Sequence, residues 1–409
     1  MVQISKNIYW HGYKHWSLRS FHGHELSTHR ASTYNSYSIK DKKTVIVDTV
    51  WDPFKDEFVE CIGREVGFAN VGMVVINHSE PDHCGALGLL MDKLPAGTPI
   101  YCTGECVRAI NRYFHEPGWQ MVPVKTGDSV NIGEFDLVFV EMKMLHWPDS
   151  MMTYVRGAGT VFSNDAFGQH YCTSGFFNDV VDENELYVEA LKYFANILAP
   201  FAPLITKKIA EVGGMGLDID VIAPSHGVIW RKDAEQIIRK YAQWADKYAD
   251  GSVIITYDCF YEATAQMAYA IARGLDSWGV PYKIFQCAAT DMSDLITDVF
   301  CASGVVIGSS TINNSVHRTT AALLDEIKGH RLRGKVAASF GSYGWSGEAP
   351  KIIGESMKNA GFEIVGEPLR ALFAPSKADL DACVALGSRM ADTVLERASR
   401  SSYGAPTLR

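Results

Sequence analysis

One stretch decides the fold of this chain: Val71-Gly72-Met73-Val74-Val75-Ile76-Asn77-His78-Ser79-Glu80-Pro81-Asp82-His83. Its apolar first half is typical of a buried strand, and residues 84–91 predict a helix after it. Four potential metal ligands then lie on a loop at the carboxyl end of a strand, where open α/β sheets place their chemistry. A solvated polar loop is the alternative interpretation, because isolated His, Asp and Glu side chains usually lie on surfaces.

The composition is that of an ordinary globular protein, and its 409 residues favour two domains over one. A net charge of −9 without a Lys/Arg cluster argues against nucleic-acid binding. The nine cysteines are scattered and form no C-x-x-C pair, which indicates reduced thiols in a cytoplasm. We find no signal peptide, and no apolar stretch that approaches the length of a membrane span, so we expect a soluble, cytoplasmic protein.

Short strands and helices alternate along the chain, which predicts an α/β fold. The first half includes a long helical stretch at 183–211. A polar break at Ala249-Asp250-Gly251 suggests a boundary between a domain at 1–249 and another at 250–409. Beyond it, five strands alternate regularly with helices, as in a doubly wound parallel sheet of flavodoxin type.

Three further ligand candidates each follow an apolar strand. They are His146 in Leu145-His146-Trp147-Pro148-Asp149-Ser150, Asp165 in Ser163-Asn164-Asp165, and His226 in Pro224-Ser225-His226-Gly227. Alone, each histidine would more often be a core or surface residue than a ligand. Together with the first cluster they make four histidines and three carboxylates, which we expect to converge at one edge of the sheet.

This order of ligands resembles the metallo-β-lactamase superfamily, whose αββα fold we therefore expect for the first domain. Zinc members of that superfamily usually carry a histidine at the position of Glu80. A carboxylate there adds hard oxygen ligation, which favours iron or manganese over zinc. With Glu80, and with the long matches around His146, Asp165 and His226, the chain resembles the flavodiiron proteins, also called A-type flavoproteins, over essentially its whole length.

The resemblance implies a ligand set for two non-haem iron ions. His78, Glu80 and His146 would hold one ion, Asp82, His83 and His226 the other, and Asp165 would bridge them. His170 lies outside the pattern and is interpreted as a supporting or surface group. His22 and His24 are candidate proton donors in the substrate pocket, and a structural role is the alternative for either.

Three loops in the second domain are candidate FMN contacts, because each follows a predicted strand where a flavodoxin binds its cofactor. The family commonly has hydroxyl residues at 259 and a small polar residue at 263, so Cys259 and Ala263 depart from it. We therefore expect Cys259→Ser to tighten FMN binding, and unchanged affinity would contradict this idea. Ordinary turn chemistry is the alternative for such Gly/Ser-rich loops. The candidate residues are Cys259, Phe260, Tyr261, Glu262, Ala263, Thr264, Ser309, Ser310, Thr311, Ile312, Asn313, Gly341, Ser342, Tyr343, Gly344, Trp345, Ser346 and Gly347.

Membership of this family would imply an oxidoreductase that reduces dioxygen to water, nitric oxide to nitrous oxide, or both, with electrons passed through FMN. It would also imply a head-to-tail homodimer, or a tetramer, with Trp147 near the junction. Because C-x-x-C pairs are missing, we expect a separate electron donor, rubredoxin first and a deazaflavin second. Two alternatives stay open: a zinc-dependent hydrolase of β-lactamase fold with an appended flavodoxin-like module, and an electron carrier whose metal half is structural.

Overall fold

The computed structural model describes residues 1–400, without the side chain of residue 400, and divides into two compact units. The first comprises Met1–His24, Thr28–Phe194 and Phe201–Asp246, and the second Glu25–Ser27, Ala195–Pro200 and the chain from Lys247. We keep the boundary after residue 249 as a proposal.

The first unit contains fifteen of the strands and seven of the α-helices in the described part of the chain, and one further strand lies in the segment Glu25–Ser27 of the second unit. In chain order these sixteen strands are β1 (Val2–Ser5), β2 (Ile8–Trp10), β3 (Tyr13–His15), β4 (Ser20–Phe21), β5 (Leu26–Ser27, the strand of the second unit), β6 (Ser32–Tyr34), β7 (Tyr37–Ile39), β8 (Thr44–Val47), β9 (Val71–Val75), β10 (Ile100–Cys102), β11 (Met121–Pro123), β12 (Ser129–Asn131), β13 (Asp136–Glu141), β14 (Met151–Arg156), β15 (Thr160–Asn164) and β16 (Val221–Pro224). The helices are α1 (Lys55–Glu65), α2 (Pro81–Cys84), α3 (Leu87–Met91), α4 (Gly104–Tyr113), α5 (Glu183–Tyr193), α6 (Ala202–Gly213) and α7 (Gln236–Ala245).

Two sheets form the centre of the first unit. One has seven strands in the order β1-β2-β7-β8-β9-β10-β11, and the other has five in the order β12-β13-β14-β15-β16. Apolar side chains from both sheets, among them Val75, Phe139 and Phe162, share one buried core. β15 and β16 are parallel, with Asn164 opposite Pro224. Two packed sheets flanked by helices are the αββα arrangement that the sequence predicts.

The second unit contains the strands β17 (Val253–Asp258), β18 (Tyr282–Gln286), β19 (Gly304–Ser309), β20 (Val336–Tyr343), β21 (Glu363–Ile364) and β22 (Leu369–Leu372). Its helices are α8 (Ala263–Asp276), α9 (Met292–Cys301), α10 (Arg318–Gly329), α11 (Ala349–Asn359) and α12 (Lys377–Arg400). The sheet order β18-β17-β19-β20-β21 is that of a flavodoxin, and every pair in it is parallel.

Three details correct the sequence predictions. The helix predicted at 84–91 is interrupted, because the Ala86 N–H donates to the Val50 carbonyl at 2.9 Å instead of continuing a helix. The last strand is in two pieces, β21 and β22, which both pair with β20, since Gly366 at φ +74° and Pro368 separate them. The sheet thus has six strands where we predicted five.

The helical run predicted at 183–211 is also less regular and more apolar than expected. It passes from α5 through a π-helix (Phe194–Leu198) and a 3-10 turn (Ala199–Phe201) into α6. Contrary to our expectation, the segment Glu183–Gly213 has the length and hydropathy of a membrane span. Because 56% of its most apolar window is buried within the protein, a core helix accounts for the same composition.

Buried His11, which follows β2, leads to a prediction about pH. Burial, opposed in part by Glu65, lowers the pKa of His11 from 6.5 to about 4. Between these two pH values the unfolded chain binds more protons than the folded one, so acid favours unfolding. The contribution of neutral His11 to the free energy of unfolding is therefore complete above the pKa of the unfolded state and is lost as the pH falls towards the pKa of the folded state. We expect the urea midpoint of His11→Gln to fall less than that of the wild type over this range.

The control for this prediction is His115→Gln, at an exposed histidine of the same unit. Its urea midpoint should follow that of the wild type at every pH. Equal pH slopes for His11→Gln and the wild type would contradict the prediction.

Candidate functional site

The seven predicted metal ligands lie on four segments of the first unit, each beyond the carboxyl end of a strand. The segment after β9, which includes the short helix α2, supplies four of them, and the loops after β13, β15 and β16 supply one each. Glu80 and His146 keep 13% and 11% of their side-chain surface exposed, and the others are more buried. In chain order they are His78, Glu80, Asp82, His83, His146, Asp165 and His226.

Four of these side chains converge on one point. Glu80 Oε2 lies 3.3 Å from His78 Nε2 and 3.4 Å from His146 Nε2. Asp165 Oδ2 lies 3.6 Å and 3.4 Å from the same two nitrogens. Two imidazole nitrogens and two carboxylate oxygens therefore face a common centre.

The remaining three converge on a second point, together with the other oxygen of Asp165. Asp82 Oδ2 lies 3.3 Å from His83 Nε2 and 3.1 Å from His226 Nε2. Asp165 Oδ1 lies 3.1 Å from His83 Nε2 and 3.6 Å from His226 Nε2. Asp165 thus turns one oxygen to each group, as a bridging carboxylate does.

These contacts have the spacing of a ligand shell. Atoms about 2.0–2.2 Å from one ion lie roughly 3.0–3.5 Å from each other in octahedral or tetrahedral geometry. Both side-chain oxygens of Asp82, and Oδ2 of Asp165, are buried without a hydrogen-bond donor, which is costly unless a cation satisfies them. The two groups therefore fit a pair of metal ions with mixed nitrogen and oxygen donors.

The electrostatics of the cluster also favour cations. Burial opposes charge on Asp165, but nearby His83 and His146 hold the pKa of its carboxyl well below the usual range. Burial would lower the pKa of His83, but Asp82 and Asp165 raise it to about 9. Burial would likewise lower the pKa of His146, but Asp165 and Glu80 raise it to about 9. The pocket is thus negative enough to hold protons, and a metal ion would displace those protons.

Side chains around the cluster hold the ligands in place, and the sequence did not identify them. Asp149 accepts from His78 Nδ1 at 3.1 Å and from the Ser79 N–H and hydroxyl, each at 2.7 Å. The Thr33 carbonyl lies 2.6 Å from His226 Nδ1. Such contacts fix the imidazole so that Nε2 faces the metal. Asp149 stands in the motif around His146, which was the one available signal.

Two hydroxyl groups act on the shared carboxylate. Tyr193 donates to Asp165 Oδ1 at 3.2 Å, and Ser225 donates to the same oxygen at 3.1 Å. Tyr193 lies on α5, where its position fits an ordinary apolar helix face, so no sequence signal pointed to it.

The three other histidines considered from the sequence have different environments. His22 Nε2 lies 3.0 Å from Glu80 Oε1, so this side chain contacts the cluster. His24 is exposed. His170 is buried, with Nδ1 bonded to the Ser32 hydroxyl at 2.8 Å and its ring 5.2 Å from that of His226, which makes it a supporting group and not a surface one.

The three candidate flavin loops meet in the second unit. Thr264 in the first turn of α8 lies 3.1 Å from the Ser310 hydroxyl and 2.9 Å from the Ser342 hydroxyl, and all three are buried. The Thr311 N–H donates to the Ser342 carbonyl at 2.9 Å. β20 extends further than predicted, so Gly341 and Ser342 are strand residues and the loop begins after Tyr343. The hydroxyl cluster therefore joins one residue from each of the three candidate segments.

The rim of these loops has groups suited to the two ends of FMN, its phosphate and its flat isoalloxazine ring. α8 begins at Ala263, directly after Glu262 at φ +61°. The N–H groups in the first turn of a helix favour an anion, which a phosphate supplies. Large aromatic side chains stay exposed there, with Phe260 at 53%, Tyr261 at 92% and Trp345 at 69%. Exposed rings beside glycines are typical of a stacking surface, so the residues fit FMN.

Comparisons with known proteins agree with both units. The family described as ODP family beta lactamase matches residues 33–227, and the flavodoxin family matches residues 255–387. The anaerobic nitric oxide reductase flavorubredoxin of Aeromonas hydrophila is 46% identical over 95% of this chain and 79% of its own length. The rubredoxin oxygen:oxidoreductase of Desulfovibrio gigas superposes with a TM-score of 0.94 at 31% identity, over 97% and 99% of the two chains. The flavodiiron protein of Giardia intestinalis superposes with a TM-score of 0.90 at 28% identity, over 98% and 99%.

A β-lactamase-like unit with a two-metal donor set, followed by a flavodoxin unit, defines a metal- and flavin-dependent oxidoreductase. The chain belongs to the flavodiiron protein family. The predicted fold class and family resemblance are therefore confirmed, and its cofactors are FMN and a diiron centre. The zinc-hydrolase alternative is not favoured.

Proposed function

We propose that this protein reduces dioxygen or nitric oxide, or both, at the His/Asp/Glu cluster of its first unit. The observation that carries the proposal is the pair of donor groups that share Asp165. When bound, the iron pair would supply reduction of the diatomic gas, and FMN would supply its electrons. Its relatives include a nitric oxide reductase and an oxygen oxidoreductase, so the proposal names both gases.

We assign His78, Glu80 and His146 to one iron and Asp82, His83 and His226 to the other, with Asp165 between them. The convergence of each group within 3.1–3.6 Å supports this assignment. The charge of the three carboxylates offsets most of the charge of two divalent ions, which keeps the cost of burial low.

Residues around the ligands orient them and keep their charge. Asp149 holds the His78 ring, while Tyr193 and Ser225 donate to Asp165 and stabilise its anionic form. His22 stays our candidate proton donor, since its Nε2 contacts Glu80 and 36% of its side chain is open to solvent.

Asp149 offers a test of this orienting role. We expect Asp149→Asn to lower iron affinity by roughly 10–100-fold, because an amide is a poorer acceptor for His78 Nδ1 and for both Ser79 donors. Chelator competition on the purified protein measures this affinity. Asp92→Asn, at an exposed aspartate, is the control, and equal affinity in both variants would count against the orienting role.

For the flavin we propose the three loops joined by Thr264, Ser310 and Ser342. The N–H groups at the start of α8 would bind the phosphate, and Tyr343 or Trp345 would stack on the ring. The loops supply the full set of candidates, namely Cys259, Phe260, Tyr261, Glu262, Ala263, Thr264, Ser309, Ser310, Thr311, Ile312, Asn313, Gly341, Ser342, Tyr343, Gly344, Trp345, Ser346 and Gly347.

We also propose a cytoplasmic protein that receives electrons from rubredoxin or a similar carrier and works as a head-to-tail homodimer, or as a tetramer made of two such dimers. All nine cysteines are free, which supports a reducing compartment. The names of the relatives support a rubredoxin-type donor. A monomer with full activity would contradict the dimer.

The decisive experiment is anaerobic purification with measurement of iron, zinc and FMN per chain. Consumption of oxygen and of nitric oxide is then followed with chemically reduced rubredoxin as donor. About two irons and one FMN per chain with gas turnover would support the proposal, and the ratio of the two rates would identify the preferred gas. Zinc in both positions of the fully loaded protein, without gas turnover, would overturn it.

A further inference from the structure

A second type of donor cluster lies elsewhere in the first unit, around His11. Cys61 and Glu65 are four residues apart on α1, so both face the same side of that helix. Cys61 Sγ lies 3.9 Å from His11 Nδ1, and Glu65 Oε2 lies 3.4 Å from the same nitrogen. The candidate ligand atoms of all three residues lie within 4.8 Å of one another.

We propose that His11, Cys61 and Glu65 form a third metal site, which binds one Zn²⁺ or a similarly thiophilic divalent cation. It shares no residue with the seven ligands of the iron pair.

The distances are close to those of a tetrahedral zinc site. With Zn–S of about 2.3 Å and Zn–N and Zn–O of about 2.0–2.1 Å, tetrahedral angles place sulfur and nitrogen roughly 3.6 Å apart and nitrogen and oxygen roughly 3.4 Å apart. The observed nitrogen–oxygen distance of 3.4 Å matches this geometry, and the observed sulfur–nitrogen distance of 3.9 Å exceeds it by a few tenths of an ångström. Three protein donors leave a fourth position for water, and the half-buried Cys61 gives access from solvent.

The His11 ring is held in the orientation that a metal ligand needs. Its Nε2 lies 2.7 Å from the Ser38 hydroxyl, and when that hydroxyl accepts, Nδ1 carries a free lone pair towards Cys61 and Glu65. His11 is 2% exposed, so few other partners can reach this nitrogen. A buried, oriented imidazole with a free lone pair is ready to bind a cation.

Glu65 provides the observation that points to a ligand. Its Oε1 is bonded by the Met1 amine and by Arg64, each at 3.3 Å. Its Oε2 is buried without a hydrogen-bond donor and faces His11 and Cys61. A buried carboxylate oxygen of this kind is costly, and a cation at the centre of the three side chains would satisfy it.

The chemistry of the donor set selects the metal. A thiolate, an imidazole and a carboxylate are the three ligand types of zinc, whereas Mg²⁺ and Ca²⁺ prefer oxygen alone. Binding replaces the thiol proton of Cys61, which is released to solvent as the Zn–S bond forms. One thiolate and one carboxylate then neutralise the divalent ion, so the filled site carries no net charge.

The test is zinc uptake by protein already loaded with iron and FMN, followed by X-ray absorption at the zinc edge. We expect one added zinc per chain, with iron content unchanged and one sulfur neighbour at about 2.3 Å. The sulfur identifies the site, because the seven ligands of the iron pair contain no sulfur. Zinc with nitrogen and oxygen neighbours only, or no added zinc, would overturn the proposal.

Two variants and a matched control locate the site. Cys61→Ser should lose the sulfur neighbour, and Glu65→Gln should bind the added zinc at least ~10-fold more weakly than the wild type. Cys301→Ser changes another half-buried cysteine, which lies in the second unit. This variant should keep the sulfur neighbour and the zinc affinity of the wild type. Equal zinc uptake with a sulfur neighbour in Cys61→Ser would overturn the proposal.

A measurement on the wild type covers the case in which a variant does not fold. Zn²⁺ should slow alkylation of Cys61 in the intact holoprotein but leave the rate at Cys301 unchanged, as read by mass spectrometry. Calorimetric titration in buffers of different ionisation enthalpy should give about one proton released per zinc. Unprotected Cys61 would overturn the proposal. Both results are independent of gas turnover, so they can fail while the oxidoreductase proposal holds.

Discussion

Asp165→Asn is expected to remove most of the iron and to lower gas turnover by more than ~100-fold. Substitution of a residue that only supports a metal ligand lowers metal affinity or activity roughly 10–100-fold. Asp165 is a proposed ligand of both ions, so the loss should be larger. The amide keeps the size of the side chain, but it has one oxygen to offer where the carboxylate turns one to each donor group. Iron analysis and oxygen and nitric oxide electrodes measure the two effects.

Asp56→Asn is the matched control, because Asp56 is exposed on α1 and contacts none of the ligands. It should keep about two irons per chain and full turnover. FMN content should stay normal in both variants, since the flavin loops belong to the second unit. Asp165→Asn with normal iron and normal turnover would remove Asp165 from the site.

Gly341→Ala is expected to have the largest effect on stability. A Cβ at this position would lie 2.0 Å from the Ser309 carbonyl oxygen, so β20 and β19 would have to separate. Overpacking of this kind costs roughly 1–3 kcal/mol or more. The same movement pulls Ser342 away from Thr264, so we expect lower thermal stability and loss of FMN on gel filtration.

Gly329→Ala, at the end of α10, tests whether the effect belongs to the close approach and not to any methyl group added to a glycine of the second unit. Its Cβ would meet no atom within 4 Å. This variant should keep the melting temperature and the FMN content of the wild type. Equal losses in the two variants would show that the explanation is wrong.

The metal cluster could be predicted from sequence because its ligands are tied to local patterns. The cluster at 78–83 and each of His146, Asp165 and His226 follow an apolar run. Because the carboxyl ends of strands meet at one edge, these four separate segments were expected together. Tyr193 and Asp149 could not be assigned in the same way. Their roles depend on which hydroxyl or carboxylate faces which ligand, and no period or spacing encodes that.

The limits of the fold prediction also have physical causes. The N-terminal strands β1 to β7 have two to four residues each, too short for an alternating pattern to stand out. The sequence prediction missed β22, which pairs with β20 beyond β21, because Gly366 and Pro368 interrupt the chain between these two short strands. The break between α2 and α3 arises from a contact with Val50, thirty-six residues away from Ala86 in sequence.

The parallel pairing of β15 and β16, with Asn164 opposite Pro224, has a consequence for how this centre can vary. Asp165 follows β15 directly and His226 lies two residues beyond the end of β16. Backbone hydrogen bonds hold neighbouring strands about 4.8 Å apart, so the main chain fixes the points from which both side chains extend. A substitution at either position replaces the donor atom but leaves its point of attachment in place. Exchanging one ligand type for another should therefore change which metals bind more readily than it changes where they bind.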